Sequence, residues 1–330
     1  MSVDPAKHSR IAEHPLKVSL LCCCFDPSGR FVLAGGRSQS VFSLDIAAGK
    51  VTLLAGHESW VGAAVRAGSD LLVTADHAGR LIAWDCSGEV PTVRWNIIAH
   101  PGTIFGLAAS ADGKRLATGD RDGTVRIWQS SDGQAVQEIA GIGHPVTAVA
   151  FHPDGRRLVS ADRQPQKPRL KLWDIATTKE QQSIEVPQLS GYRRVEDIEW
   201  GGIRGVAVSP DGSTIAACGR SGYSGPASVL LFDIQNGELR KQLDSTLKGI
   251  GYQATFHPQE FLLAVAGDLA KGEFRIWDAD TAETLTTAET AGPCLAVDID
   301  AAGTRFAVAQ ASGERSNPDA GTLAVHEWSN

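Results

Sequence analysis

A short pattern recurs seven times along the chain and constrains its fold more than any other feature of the sequence. Each copy is a five-residue, largely apolar run that ends in a polar residue. The copies are VFSLD (41–45), LIAWD (81–85), VRIWQ (125–129), LKLWD (170–174), VLLFD (229–233), FRIWD (274–278) and LAVHE (323–327). Their last residues lie 40, 44, 45, 59, 45 and 49 positions apart. Self-similarity at a period of this size indicates a repeat architecture, in which each repeat packs on its neighbours.

The composition of each repeat predicts short β-strands joined by tight turns. Stretches such as VTAVAF and LKLWD are rich in β-branched, apolar and aromatic residues, and turn sequences such as DPSGR and HPDGR separate them. About four strands in each repeat match the period of a propeller blade. The sequence therefore predicts an all-β chain. Residues 1–330 are expected to form a single seven-bladed β-propeller domain of four-stranded antiparallel blades, with residues 1–8 as a flexible leader.

The third repeat, AHPGTIFGLAASADGKRLATGDRDGTVRIW (99–128), resembles the WD-repeat β-propeller family. The paired Gly-His signature of that family stands at Gly56-His57 and Gly143-His144. Its Trp-Asp signature stands at Trp84-Asp85, Trp173-Asp174 and Trp277-Asp278. The resemblance recurs in all seven repeats and covers nearly the whole chain.

The resemblance implies a buried tetrad of hydrogen-bonded side chains within a blade. Only the third repeat matches all four positions, with His100, Thr118, Asp122 and Trp128. The second repeat has His57, Thr74 and Trp84, with Ala78 where the aspartate is expected, and the fourth has His144, Ser160 and Trp173. Repeats five to seven lack the histidine, so we expect those blades to depend more on apolar packing.

The ring is expected to close through the N-terminal segment. Only Ser329 and Asn330 follow LAVHEW (323–328), so the seventh repeat has no outer strand of its own. The segment SRIAEHP (9–15) resembles the outer-strand endings of other repeats, such as TLLAGHE (52–58). We therefore expect Arg10–Glu13 to pair with the last blade and cover an otherwise exposed strand edge.

Three consecutive cysteines, Cys22, Cys23 and Cys24, raise the question of a metal site, a redox site, a lipid anchor or simple packing. They align with an innermost-strand run of the fourth repeat, AVAF (148–151). Adjacent strand residues point to opposite faces, so three neighbouring thiols do not converge easily on one metal. Free cysteine behaves as a small hydrophobe in a crowded core. We therefore predict a packing role for all three.

Composition and motifs argue against several other classes of protein. The net charge of −7 disfavours a dedicated nucleic-acid or anionic-membrane surface, and no run of eighteen apolar residues predicts a membrane span. Motifs for zinc, calcium, nucleotide phosphates or a hydrolase nucleophile are not found. We therefore expect no cofactor, no metal and no catalysis, and a cytoplasmic location fits the unpaired cysteine pattern. His152 and His257 lie in His-Pro turns and are expected to be exposed.

Long connections are confined to one end of the predicted ring. With the strands of a blade named a to d from the channel outward, the a–b and c–d turns are short at every repeat. The long segments are 162–169, 187–202, 219–227, 267–273 and 310–321, and all are b–c or d–a connections of repeats four to seven. Insertions on one face of a repeat protein often mark its binding face. The candidate partner-binding residues there are Arg163, Lys167, Arg169, Tyr192, Arg193, Arg194, Trp200, Arg220 and Tyr223.

The function that fits this pattern is a non-catalytic protein-interaction scaffold. It would bind a protein or peptide on the end that carries the long loops, and the many arginines there favour an acidic partner. The protein on its own is expected to be a monomer. Two alternatives remain open. One is a propeller enzyme with its site at the central channel, and the other is a reader of phosphorylated or nucleic-acid ligands through the arginine-rich loops.

Overall fold

Thirty strands and one short 3₁₀ turn make up the regular structure of the residues that the structure describes. The computed structural model describes residues 3–140, 142–164, 166–193, 198–199, 201–313, 317 and 319–329, with the backbone alone at 192–193 and 198–199. The first strand is β1 (His8–Leu16). Blade one then contains β2 (Leu20–Phe25), β3 (Phe31–Gly36), β4 (Val41–Asp45) and β5 (Lys50–Leu54). Blade two contains β6 (Val61–Ala67), β7 (Leu71–Asp76), β8 (Arg80–Asp85) and β9 (Thr92–Ile98).

The next two blades follow the same order. Blade three contains β10 (Ile104–Ala109), β11 (Arg115–Asp120), β12 (Val125–Gln129) and β13 (Ala135–Ile139). Blade four contains β14 (Val146–Phe151), β15 (Arg157–Asp162), β16 (Arg169–Asp174) and β17 (Lys179–Glu185). The long connection to blade five holds the 3₁₀ turn (Pro187–Leu189) and a small hairpin of β18 (Tyr192–Arg193) and β19 (Ile198–Glu199).

The last three blades complete the ring. Blade five contains β20 (Gly205–Val208), β21 (Thr214–Arg220), β22 (Ala227–Asp233) and β23 (Leu239–Asp244). Blade six contains β24 (Ile250–Phe256), β25 (Phe261–Gly267), β26 (Gly272–Asp278) and β27 (Thr284–Thr290). Blade seven contains β28 (Cys294–Ile299), β29 (Arg305–Ala311) and β30 (Gly321–Trp328), and β1 is its outer strand.

Seven four-stranded antiparallel sheets stand around a central channel, which confirms the predicted seven-bladed propeller. Six of the described blades are meanders, in which sequential strands pair with one another from the channel outward, and in blade seven β1 replaces a sequential outer strand. The innermost strands contact each other in the order β2, β6, β10, β14, β20, β24 and β28, and β28 returns to β2. Neighbouring blades cover both faces of each sheet, so inner strands such as β3 and β25 are buried along their whole length.

The N-terminal strand closes the ring, as predicted. Strand β1 pairs antiparallel with β30 from His8 opposite Trp328 to Leu16 opposite Gly321. The segment before β1, for which the sequence predicts a flexible leader, also makes contacts. Val3 is buried against blades six and seven, and the Asp4 amide donates a hydrogen bond to the Ser329 carbonyl (2.9 Å). The closure therefore extends beyond the strand itself.

The three consecutive cysteines occupy the middle of β2, and all three are buried. Cys22 and Cys24 pack against blade two, whereas Cys23 packs against blade seven, as the alternation of side chains along a strand requires. The Sγ atom of Cys22 lies 3.7 Å from the Val61 carbonyl, and that of Cys23 lies 3.6 Å from the Ala307 carbonyl. Burial raises the pKa of the Cys22 thiol to about 12, so this thiol stays protonated at neutral pH.

Replacing Cys22, Cys23 and Cys24 together by alanine is expected to lower the free energy of unfolding by only about 1–3 kcal/mol, because small thiols leave small cavities. Urea denaturation measures this change. Stoichiometric zinc that is found in the native protein by mass spectrometry, and is lost from the triple variant, would contradict the packing role.

The buried tetrads differ from the sequence prediction at one position. In blade three, His100 Nδ1 contacts the carboxylate of Asp120 (2.7 Å), and not that of Asp122, whose side chain is exposed. His100 Nε2 lies 2.6 Å from Thr118 Oγ1, which accepts a hydrogen bond from Trp128 Nε1 (2.9 Å). Asp120 is two residues after Thr118 in β11, so both side chains point to the same face of the sheet, whereas Asp122 lies in the turn beyond the strand.

The same spacing completes the tetrad of blade two. His57 contacts Asp76 (3.0 Å) and Thr74 (2.7 Å), and Trp84 Nε1 donates to Thr74 Oγ1 (2.8 Å). Ala78 therefore does not deprive the tetrad of its carboxylate, because Asp76, two residues earlier, supplies it. Blade four keeps only the contact between Trp173 Nε1 and Ser160 Oγ (2.8 Å), because its histidine at position 144 is exposed.

The two histidines of the His-Pro turns are buried, so the prediction that they are exposed was wrong. His152 Nε2 lies 3.0 Å from the Gly212 carbonyl in the next blade, and His257 Nε2 lies 2.7 Å from the Gly303 carbonyl. Each imidazole thus joins the a–b turn of its own blade to the a–b turn of its neighbour. The prediction failed because these turns are exposed within one blade and become covered only when the next blade packs beside them.

Candidate functional site

The two ends of the ring differ in the length of their connections. We call the end that carries the b–c and d–a connections the loop end, and the opposite end the turn end. The two longest connections of the loop end are residues 186–204, between blades four and five, and 312–320 in blade seven, whereas 163–168 and 221–226 equal 55–60 and 140–145 in length and 268–271 is shorter. Turns at the opposite end, such as 26–30 and 257–260, are short. The structure thus confirms long connections at two of the five predicted segments, and the segment predicted at 267–273 is short because its ends belong to β25 and β26.

A cavity of about 350 Å³ opens into the channel at the loop end, and we call it the upper cavity. The innermost strands form its wall with small and apolar residues, among them Leu21, Val149 and Leu295. Polar and aromatic side chains sit where these strands begin or where their partners end. They are His77, Phe105, Arg163, Arg204 and Tyr252. No Asp or Glu lines this cavity among the residues that the structure describes.

Backbone hydrogen bonds fix the two cavity arginines at their places. The Arg163 amide, just after β15, donates to the Pro145 carbonyl (3.0 Å), and the Arg204 amide, just before β20, donates to the Cys218 carbonyl (2.8 Å). Gly202 packs directly on Arg163 with φ of +97°, and a Cβ atom there would lie 2.8 Å from Arg163 Cγ. Only glycine tolerates both the backbone angle and the close contact at this position.

The upper cavity is positively charged, because two arginines line it and no described carboxylate among its lining residues neutralises them. Burial, reinforced by the charge of Arg163, lowers the pKa of Arg204 to about 10. The Nε atom of Arg204 is buried and has no hydrogen-bond partner. Burial and the charge of Asp268 raise the pKa of the Tyr252 phenol, although the nearby charges of Arg204, Arg220 and Arg37 act in the opposite direction. The phenol is therefore a neutral hydrogen-bond donor in a positively charged environment.

A row of rings crosses blades one to three beside the cavity. The guanidinium of Arg37 lies over the ring of Trp60, 5.4 Å from its centroid. The ring of Trp60 lies 5.8 Å from that of His77, which lies 6.1 Å from Phe105. Trp60 remains 45% exposed, which is unusual for the largest apolar side chain. Burial lowers the pKa of His77, so this ring is neutral at physiological pH.

The predicted partner-binding residues that the structure describes lie in different environments. Arg163 lines the upper cavity, and Arg220 and Tyr223 are half-buried in and beside the b–c connection of blade five. Lys167 is exposed, and Arg169 forms an ion pair with Glu185 on the outer strand (2.7 Å). For Tyr192 and Arg193 the structure describes the backbone alone, and Arg194 and Trp200 lie outside the described residues.

Six residues of this region, His77 among them, were missed from the sequence. The other five are Arg37, Trp60, Phe105, Arg204 and Tyr252. All of them lie at or near the ends of inner strands. Arg37, Trp60 and Phe105 lie beside short connections of blades one to three, and these connections gave no signal in the sequence. A search for polar and aromatic residues at the two boundaries of every innermost strand would have found Trp60, Phe105 and Arg204.

Comparison with known proteins identifies the repeats. A family model described as "WD domain, G-beta repeat" matches residues 8–42, 92–129 and 135–174. The chain is 27% identical over 248 residues to the Periodic tryptophan protein 2 homolog of Schizosaccharomyces pombe, covering 72% of this chain and 23% of that protein. It is 28% identical over 199 residues to Nuclear distribution protein PAC1 of Arthroderma otae, covering 52% and 41% respectively.

A third relative matches a shorter segment more closely. Apoptotic protease-activating factor 1 of Rattus norvegicus is 36% identical over 107 residues, which is 30% of this chain and 8% of that protein. The chain therefore spans less than half of the length of each of these three relatives. A search of the described residues for helices long and apolar enough to cross a membrane found none.

Proposed function

Because this chain belongs to the WD-repeat β-propeller family, we propose that it is a non-catalytic scaffold that binds a protein or peptide at its loop end. WD-repeat propellers generally act as protein-interaction scaffolds. The loop end is favoured here because variable connections and unpaired side chains are found together on it. The turn end instead consists of short turns that hydrogen-bond to one another across neighbouring blades.

The observation that carries this proposal is the loop-end rim, which we define as Arg37, Trp60 and Arg220. Arginine and tryptophan dominate the energetics of protein interfaces, because they combine large contact area with polar groups. Trp60 is half-exposed with Arg37 stacked on it, and the charge of Arg220, in blade five, acts on the phenol of Tyr252. Positive charge at this rim stands out on a chain of net charge −7, so the complementary partner segment is acidic.

Reversing the charge of the rim is expected to abolish partner capture. In a pull-down from the native lysate with mass spectrometry, Arg37→Glu combined with Arg220→Glu should reduce capture about tenfold or more, because like charges would face each other across the interface. Arg37 is exposed in the connection between β3 and β4, and Arg220 is half-buried at the end of β21, so the melting curve should change little.

The matched control is Lys50→Glu, an exposed charge reversal near the turn end. It should leave capture intact. Loss of capture in this control, with retention in the rim variant, would place the interface at the turn end. Binding that instead weakens steeply with salt and survives protease treatment of the lysate would point to a nucleic acid.

A further inference from the structure

Two arginines face the upper cavity without a counter-charge. Arg163 and Arg204 lie close enough for their charges to repel each other, and no described Asp or Glu lines the cavity with them. The remaining polar groups are neutral, namely the half-buried His77, Thr147, Tyr252 and Gln253. A cationic cavity of this kind is costly for the folded protein, because the charge of Arg204 has lost water without gaining a described partner.

Elsewhere the protein pairs the arginines that it takes out of water. Arg66 contacts Asp298 (2.7 Å), Arg275 contacts Glu273 (2.8 Å), and Arg305 contacts Asp300 (2.9 Å). Arg80 and Arg169 also have a buried Nε atom without a partner, but each forms an ion pair, with Glu58 and Glu185 respectively, whereas Arg204 has no ion pair with a described residue. The difference indicates that an external anion supplies the partner.

We propose that the upper cavity binds a phosphate monoester. Its two negative charges match the two guanidinium groups, which bind phosphate oxygens in a planar, two-pronged geometry. The neutral hydroxyl of Tyr252 can donate a further hydrogen bond to the same group. Apolar side chains such as Leu21, Phe105 and Leu295 complete the lining, so the organic part of the ligand is itself apolar. A volume of about 350 Å³ is within the range of sites for small ligands.

The phosphate can come from two sources. It is carried either by a phosphorylated side chain of the bound partner, in which case this inference rests on the proposed scaffold function, or by a free small molecule. Both sources present the same chemistry to Arg163 and Arg204. The channel position suits both, because the cavity opens at the loop end where the partner would dock.

Phenyl phosphate and benzenesulfonate test the charge requirement, because they have similar shapes and differ in charge near pH 7.5. Isothermal titration of the purified full chain at constant ionic strength should show phenyl phosphate binding about tenfold or more tightly than benzenesulfonate. Equal affinity for the two, or no heat with either, would overturn the proposal.

Arg204→Gln tests whether this arginine binds the phosphate group. It should weaken phenyl phosphate about tenfold or more, and it should raise the melting temperature of the ligand-free protein, because it removes an unpaired charge. Arg163→Gln should show the same loss and serves if Arg204→Gln does not fold. The matched control is Arg94→Gln, on an outer strand and paired with Asp70 and Asp85, which should bind phenyl phosphate like the native chain. Unchanged binding in both cavity variants would overturn the proposal.

Phosphatase treatment of the lysate separates the two sources. If the partner carries the phosphate, treatment should abolish capture by the native chain, and Arg204→Gln should abolish it without treatment. If a small molecule carries it, phenyl phosphate should bind while capture survives both changes. Capture that depends on Arg37 and Arg220 without any binding of phenyl phosphate would refute the phosphate site and leave the scaffold function standing.

Discussion

Deletion of residues 1–16 is expected to make the protein aggregate. The deletion removes β1, so the amide and carbonyl groups of β30 along one side lose their partners. Leu323 and Val325, which are buried, would lose cover from the neighbouring strand. An unpaired, apolar edge strand pairs readily with other chains. Size-exclusion chromatography with light scattering should show soluble aggregates or loss of the protein from solution.

A matched control keeps β1 and changes only its outward surface. Arg10→Ala with Glu13→Ala removes an exposed ion pair on this strand (2.7 Å) and should leave size and melting temperature nearly unchanged, because exposed pairs contribute only about 0–1 kcal/mol. A synthetic peptide of residues 1–16, added during refolding, should restore the truncated chain to solution. A deletion variant that melts like the native protein at its native size would refute closure by this strand.

Asp120→Ala is expected to lower the free energy of unfolding by about 2–4 kcal/mol, because it leaves buried donors without an acceptor. Its carboxylate accepts hydrogen bonds from His100 Nδ1 and from the backbone amides of residues 122 and 124. Burial lowers the pKa of His100, so the imidazole stays neutral and depends on Asp120 to hold its Nδ1 proton. Urea denaturation followed by tryptophan fluorescence measures the loss.

The control for this prediction is Asp122→Ala, two residues away. The Asp122 side chain is exposed, so its removal should change the free energy of unfolding by no more than about 0.5 kcal/mol. A larger loss at position 122 than at position 120 would restore the assignment that was made from the repeat pattern alone.

The sequence determined those features that depend on local pattern. The recurring five-residue strand and its turns predicted the number of blades and the order of strands within each blade. The same reasoning explained the cysteines, because alternation along β2 sends adjacent thiols to different blades. It also predicted the pairing of β1 with β30, since seven repeats with one strand missing leave a single place for an N-terminal strand.

Tertiary structure alone decided which groups meet when the blades pack together. Asp120 supplies the tetrad carboxylate because its place in β11 directs its side chain toward His100, whereas the spacing expected from the family indicated Asp122. His257 is buried because the next blade covers its turn. Arg163 and Arg204 are 41 positions apart and share one cavity only because blades four and five are neighbours around the channel. Local pattern specifies strands within a blade, whereas the burial of a charge depends on neighbours that are distant in the sequence.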